Sequence, residues 1–415
     1  MRKRMIAVAA CAALALGGCG RDTGGNSDTA KAVGEGKATG EITVWAMGTE
    51  GEKLGEFAKA FTAENPDAKV TVTPVPWDAA TQKLTGAIAA KQTPDVSMIG
   101  TTMQGGLAKT GALDPTPADL FPKDTYFPGA WDTTVVDGTS YGVPWYVETR
   151  GIFYRTDLAA KAGFPDGPKT WADLHAMAAA MKSKAGAKWG LNIQPGKTGS
   201  WQSVLPFGWS NGAEITDGRQ YTFDTPAMAE ALTYYQSFFK EQLAPANLAQ
   251  GALEPAFVKG EIGAFMSGPW HVGIINEQGG EGTYAVAPMP VGKSSTSFIG
   301  GSNIAVFKDA KNRDAAWKFL AWLSKPDVQV KWYQTVSDLP AVQSAWQDPA
   351  LTGDPMLKVF GEQLKSAKAP PAFPTWDQVA AAFDVEVEKV CVGGADPAAA
   401  LKAIQQQATA IGTGA

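Results

Sequence analysis

Apolar positions along the chain alternate between a two-residue and a helical spacing. Glu41–Met47, EITVWAM, alternates and is read as a strand. Gly48–Gly51 breaks it, and over Glu52–Asn65 the apolar residues Leu54, Phe57, Ala58 and Phe61 fall on one helical face. Asn65-Pro66-Asp67 ends that helix. Lys69–Val75 alternates as a second strand, Trp77–Lys91 is a helix, and Pro94–Ile99 is a third strand. This βαβαβ rhythm predicts a parallel sheet with right-handed crossovers. Ligands of such sheets sit at the carboxyl ends of the strands, so Thr49, Glu50, Thr101 and Thr102 are placed on one rim. Each of the four, taken singly, is ordinary loop chemistry.

Gly111–Pro128 is irregular and Pro-rich, and Tyr141–Arg155, YGVPWYVETRGIFYR, follows as an extended aromatic and β-branched run. Glu148 and Arg150 place two charges inside it. Charges in such a run are paired, or lie where the chain leaves one core for another. Two readings follow: a crossing between two lobes with Glu148 facing the cleft, or a salt-bridged pair on a surface strand. Thr170 with Asp173 forms a capping box at a further helix start. Gly190–Ile193 is read as a strand, Trp201–Trp209 as an aromatic helical run, and Thr225-Pro226 opens a helix to about Glu241. Ile262–Met266, Tyr284–Met289 and Phe298–Phe307 are strands, the last containing Gly300-Gly301-Ser302-Asn303. Asp314–Leu323 is an amphipathic helix, Thr335–Pro340 an extended link, and the remainder helical apart from Ala369–Pro374. The fold class is α/β, with no solenoid repeat.

The amino terminus lies outside this pattern. Arg2, Lys3 and Arg4 precede a short apolar stretch, Met5–Leu16, too short to span a bilayer. It ends in Leu16-Gly17-Gly18-Cys19, which resembles the bacterial lipoprotein processing signal; Cys11 would leave almost no apolar region before it. Residues 1–18 are thus expected to be a cleaved signal peptide and Cys19 the acylated residue. Residues 19–40, rich in Gly, Asp, Thr, Ser and Lys, are expected to be a flexible tether.

Removing residues 1–18, which carry three of the 36 Lys+Arg and none of the 41 Asp+Glu, leaves a net charge of −8. An acidic surface argues against nucleic acid or an anionic membrane surface as partner. With Cys19 acylated only Cys391 remains, so no internal disulfide and no cysteine metal cluster are expected. The two histidines, His175 and His271, are far apart in sequence and are read as surface or interface residues. The chain carries no G-x-S-x-G, P-loop, dinucleotide fingerprint or H-E-x-x-H, so neither an enzyme nor a cofactor is expected. Glu50 and Glu148 could both face the cleft, but the sequence does not place them at the separation of about 5 Å that a retaining glycosidase needs.

Fourteen tryptophans do change the picture. Trp77, Trp201, Trp209, Trp270 and Trp376 fall at expected loops, whereas Trp317 and Trp322 sit at helical core positions. An indole beside carboxylates, amides and hydroxyls complements both faces of sugar chemistry, the apolar C–H face and the hydroxyl edge.

In their order, TVWAMGTEGEKL, PDVSMIGTTMQGGLAKTGAL, the crossing segment, FVKGEIGAFMSGPW, and GGSNIAVFKDAKNRDAAWKFLAWLS followed by DLPA resemble the family-1 extracellular solute-binding proteins of ABC importers. That group includes the maltose- and oligosaccharide-binding lipoproteins. The resemblance covers about Glu41 to the end. It implies a two-lobed, periplasmic-binding-protein-like fold of type II with a ligand cleft between lobes. Lobe one would hold residues 41–148 and 302–337, lobe two residues 149–301 and 338–415. It implies an extracellular, lipid-anchored monomer that delivers a di- or oligosaccharide to a permease, with a polyol or glycerol-phosphate ester, or a glycoside-processing activity, as alternatives. A phosphate would want basic rims, and only Arg150 is well placed for one. The ligand-contact positions it implies are Thr49, Glu50, Thr101, Thr102, Glu148, Trp270 and Trp376, with Trp201 near another. Thr102 and Met103 replace a charged pair used by the maltose binders. The residue reading adds Trp77, Arg150, Trp209, Gly301, Ser302 and Asn303. Cys19→Ala is expected to abolish incorporation of labelled palmitate; label retained in the variant would contradict Cys19 as acceptor.

Overall fold

The computed structural model describes residues 30–197, 199–249 and 251–414. Cys19 and the signal segment lie outside them. Two sheets organise the chain. Their strands, in chain order, are β1 (Gly40–Met47), β2 (Ala68–Val75), β3 (Val96–Gly100), β4 (Val143–Thr149), β5 (Gly151–Arg155), β6 (Ala264–Ser267), β7 (Tyr284–Ala287), β8 (Ile299–Val306) and β9 (Leu339–Pro340). The helices that matter below are α1 (Gly48–Phe57), α2 (Trp77–Ala90), α3 (Gln104–Lys109), α4 (Trp171–Ser183), α5 (Trp201–Ser210), α6 (Pro226–Lys240), α7 (Trp270–Glu277), α8 (Arg313–Leu323), α9 (Pro326–Val336), α10 (Pro355–Leu364) and α11 (Trp376–Cys391).

The larger sheet runs β9-β4-β8-β3-β1-β2. β1 pairs in parallel with both β2 and β3, as the βαβαβ rhythm predicts, and the later strands add antiparallel. Asp95 pins this arrangement: its buried carboxylate accepts from Thr43 N–H (2.8 Å) and Oγ1 (2.7 Å) on β1 and from Lys311 N–H (2.6 Å) before α8. Pro144 is tolerated inside the sheet because the β4/β8 register slips between Ser302 and Asn303, leaving Trp145 as the extra residue of a bulge. Gly301 opposes it with φ +110°, and a Cβ there would stand 2.3 Å from the Tyr146 carbonyl.

The smaller sheet is β6-β5-β7, antiparallel throughout. Both its faces are covered, which is why GIFYR reads as a continuous apolar run. Ile152 and Tyr154 face a core shared with α4, α5 and α6, whereas Phe153 joins the core of the larger sheet, stacking on Phe265 at 4.7 Å and reaching Phe360 of α10. One buried cluster thus runs from the larger sheet onto one face of the smaller sheet, and a second fills the other face of the smaller sheet; the two sheets mark the two lobes. One residue, Arg150, separates β4 from β5. Ser297 Oγ accepts from Arg150 N–H (3.2 Å) and donates to the Arg150 carbonyl (3.0 Å). Lys368 N–H in turn donates to the Ser297 carbonyl (2.8 Å), and Ile299 N–H to the Lys368 carbonyl (2.9 Å). Three passages of the chain thus lie side by side between the lobes.

Several expectations are corrected. Gly48–Gly51 is no loop but the first turn of α1, and the helix following it is interrupted at Ala58. Gly190–Ile193 forms no ladder: it makes the single bridge of Asn192 to Phe265, and Trp189 just before it bridges Ile262. Residues 31–40 do not hang free: Arg313 donates to the Lys31 carbonyl (2.8 Å), Gly34 N–H to Asp314 (2.9 Å), and Ala38 is fully buried with its N–H on Asn65. β9 pairs with β4 in the larger sheet, and Lys368, on the third passage, bonds to Ser297 and Ile299. The capping box is present as read, with Thr170 and Asp173 exchanging bonds at 3.1 and 2.9 Å. Among the described residues no helix is long and apolar enough to cross a membrane.

Candidate ligand cleft

The first wall is built at the carboxyl ends of β1 and β3. Gly48 takes φ +56°, and a Cβ there would meet Trp77 Nε1 at 2.9 Å and Glu50 Oε2 at 3.2 Å. The missing side chain is what lets the indole and the carboxylate share one spot. The Trp77 ring continues over Gly100, where a Cβ would lie 3.3 Å from it, and stays 44% exposed. Glu50 sits in the first turn of α1, where the helix dipole favours a carboxylate, and is buried. Burial pushes its pKa up, against its own backbone N–H and the Tyr146 hydroxyl. Thr49, one residue earlier, points to solvent.

The floor is β4. Tyr146 and Glu148 are two residues apart and so share a face. Ser302, opposite Tyr146, donates to its hydroxyl at 3.3 Å. Asp338, just before β9, completes an acidic group around Tyr146. Its carboxylate accepts from Trp332 Nε1–H (3.0 Å), yet burial, Glu50 and Glu148 hold its pKa well above the usual range. Burial, then Asp338 and Glu50, likewise raise the Tyr146 phenol. Among the described residues no group of three or more His, Cys, Asp or Glu is arranged to hold a metal ion.

The second wall gathers around Arg150. Its guanidinium is buried, donates to Gln202 Oε1 and lies 3.4 Å from Glu148 Oε1. It also lies 4.8 Å from the Trp270 ring centre and 5.1 Å from that of Phe298. Trp270 opens α7 and keeps 38% of its surface exposed. Trp201 meets Phe298 and Trp376 edge-on at 5.1 and 5.2 Å. Asp377, next to Trp376, is raised by burial and opposed by the Thr102 hydroxyl across the lobes.

Of the residues singled out in the sequence, Trp77 meets Glu50 at Gly48, Glu50 and Glu148 both act on Tyr146, Arg150 lies between Glu148 and the Trp270 ring, and Thr102 reaches Asp377. Thr101 lies at the tip of β3, its N–H on the Gly301 carbonyl (3.3 Å). Trp209 does not join them: it is buried in the second lobe's core near the end of α5. Asn303 is internal to the first lobe, bonded to Thr133 and Gln104. Ser302 and Gly301 act from beneath, through Tyr146 and backbone clearance. Trp201 and Trp376 are buried ring partners, and Trp376 Nε1 has no hydrogen-bond partner among the described residues. Trp77, Trp201, Trp270 and Trp376 are each the first residue of a helix, not loop residues. Of the histidines, His271 is buried, between Ser267 and Glu254. Tyr146, Asp338, Gln202 and Asp377 were missed. Only Tyr146 carried a usable signal, its two-residue spacing from Glu148.

Residues 46–330 match the model of the bacterial extracellular solute-binding proteins. The chain belongs to this family. Among its relatives, the galactooligosaccharide-binding protein of Bacillus subtilis is 27% identical, covering 97% of this chain and 95% of its own. Among solved structures, the sugar-binding protein MalE of Xanthomonas citri superposes with a TM-score of 0.85 at 32% identity, covering 90% and 97%. The cyclic α-maltosyl-1,6-maltose binding protein of Arthrobacter globiformis gives 0.80 at 25% identity, covering 90% and 99%. A solute-binding protein of this family is extracellular.

The Asp338 proton gives this solute-binding protein a testable pH signature. The folded state holds that proton more tightly than the unfolded chain. Its contribution to stability is therefore full below the unfolded value of about 4 and is lost as pH rises through the folded value. Asp338→Asn keeps an acceptor for Trp332 and removes the ionisation. Its Tm is expected to exceed wild type at about pH 8, with the gap closing towards about pH 4. A gap that did not vary with pH would contradict the assignment.

Proposed function

We propose that the cleft binds a carbohydrate, a di- or oligosaccharide, for delivery to the permease of an ABC importer. What supports this reading is that the exposed Trp77 ring stands beside Glu50, the exposed Trp270 ring lies across Arg150 from Glu148, and Glu50, Glu148 and Asp338 surround Tyr146. Aromatic faces cover the apolar side of a pyranose, and carboxylates accept its hydroxyls in charge-assisted bonds. The relatives named above, a galactooligosaccharide-binding protein, a sugar-binding protein and a cyclic α-maltosyl-1,6-maltose binding protein, point the same way. A phosphate ester is disfavoured, because Arg150 is already committed to Gln202 and Glu148. We read the protein as a receptor and not a hydrolase, a monomer held at the extracellular face of the bacterial cytoplasmic membrane through Cys19, with residues 31–40 fastening the first lobe.

Calorimetric titration against mono-, di- and oligosaccharides and glycerol phosphate tests the reading, with product analysis of each mixture. A carbohydrate bound tightly and recovered intact is expected. Trp270→Ala should weaken it by about 2 kcal/mol or more, as for a central aromatic anchor. Glu148→Gln should cost about 1–3 kcal/mol with the fold kept by circular dichroism. Wild-type affinity in both folded variants would put the ligand elsewhere; preference for the phosphate ester, or cleavage, would replace the reading.

A further inference from the structure

Asp384 is a buried acid on the helix that carries Trp376 and Asp377. Asp384 sits in the middle of α11 and is 5% exposed. Its carboxylate accepts three hydrogen bonds from the chain that leads into α5: Gly199 N–H (2.7 Å), Ser200 Oγ–H (2.7 Å) and Trp201 N–H (2.9 Å). Ser200, at the N-cap position of α5, gives that helix no side-chain cap of its own. The cap comes instead from a neighbouring helix about 180 residues further along the chain. Three donors on one buried carboxylate fix both the height and the rotation of the first turn of α5.

That turn carries two contacts of the cleft. Trp201 meets Phe298 and Trp376 edge-on. Gln202 accepts from the Arg150 guanidinium, which covers part of the Trp270 face. Every link from α11 to the Trp270 ring is a hydrogen bond or a ring contact. We propose that Asp384 is a positioning residue for the ligand: by holding the first turn of α5 it sets where Gln202 draws Arg150, and so how much of the Trp270 face a sugar can reach. This rests on the carbohydrate reading above. Asp384 also borders a cavity of about 540 Å³ that Thr102, Gln202 and Asp377 line, so direct contact with a longer ligand is the competing role.

A double-mutant cycle separates the two. Kd for the tightest carbohydrate is measured in wild type, Asp384→Asn, Gln202→Ala and the double variant, and amide hydrogen exchange over residues 199–202 is followed without ligand. Asp384→Asn is expected to speed exchange at Trp201 and to weaken binding about fivefold to twentyfold. In the Gln202→Ala background the same change should cost less than about twofold. Ser200→Ala, which removes one donor and leaves the carboxylate, should give the same pattern more weakly and decides the matter if Asp384→Asn does not fold. Wild-type Kd in a folded variant, or an undiminished loss in the Gln202→Ala background, overturns the proposal. A wild type that bound no carbohydrate would overturn the receptor reading instead, while unchanged exchange at Trp201 would reject Asp384 as the group that holds the turn.

Discussion

The constraint on which the molecule depends is that one residue joins its two sheets. β4 ends at Thr149 and β5 begins at Gly151, and Arg150 between them is tied by its main chain to Ser297 and by its side chain to Gln202. Ser297 is tied to Lys368 on the third passage. In proteins that close by hinge bending, a few residues at crossings of this kind take up the change in backbone angle. This junction also places a cation and a carboxylate, Arg150 and Glu148, where the lobes meet.

Around that point the two lobes contribute different chemistry. The first lobe supplies acceptors: Glu50, Glu148 and Asp338 crowd Tyr146, and their mutual proximity raises Asp338 and Tyr146 beyond what burial would do. The first lobe also carries the exposed Trp77 ring, and the second carries the exposed Trp270 ring, with Phe298, Trp201 and Trp376 packed on one another beyond Arg150. A ligand that spans Trp77 and Trp270 must touch both lobes, and a ligand shifts the balance between open and closed forms only by such differential contact.

Much of this was legible in the sequence because it follows from local pattern. The alternation of EITVWAM and the helical spacing after it give β1 and its neighbours, and two charges inside an aromatic run mark the crossing. The tryptophans were legible as a set but not in detail. Gly and Pro beside Trp270 suggest a loop, yet all but Trp209 of the five start helices, and Trp209 packs inward because α5 presents it to the core. Asp338 could not be found, since its meaning comes from Glu50 and Glu148, far away in sequence. Residues 31–40 have the composition of a tether, but Arg313, Asp314 and Lys318 bind mostly their main chain, which composition does not report.

The central claim is that two lobes close on a carbohydrate held between them. Small-angle X-ray scattering, with the protein free and saturated with its tightest carbohydrate, tests it most directly. The account predicts a smaller radius of gyration in the bound state, from hinge bending at Arg150, Ser297 and Lys368. An unchanged radius at saturation would contradict it.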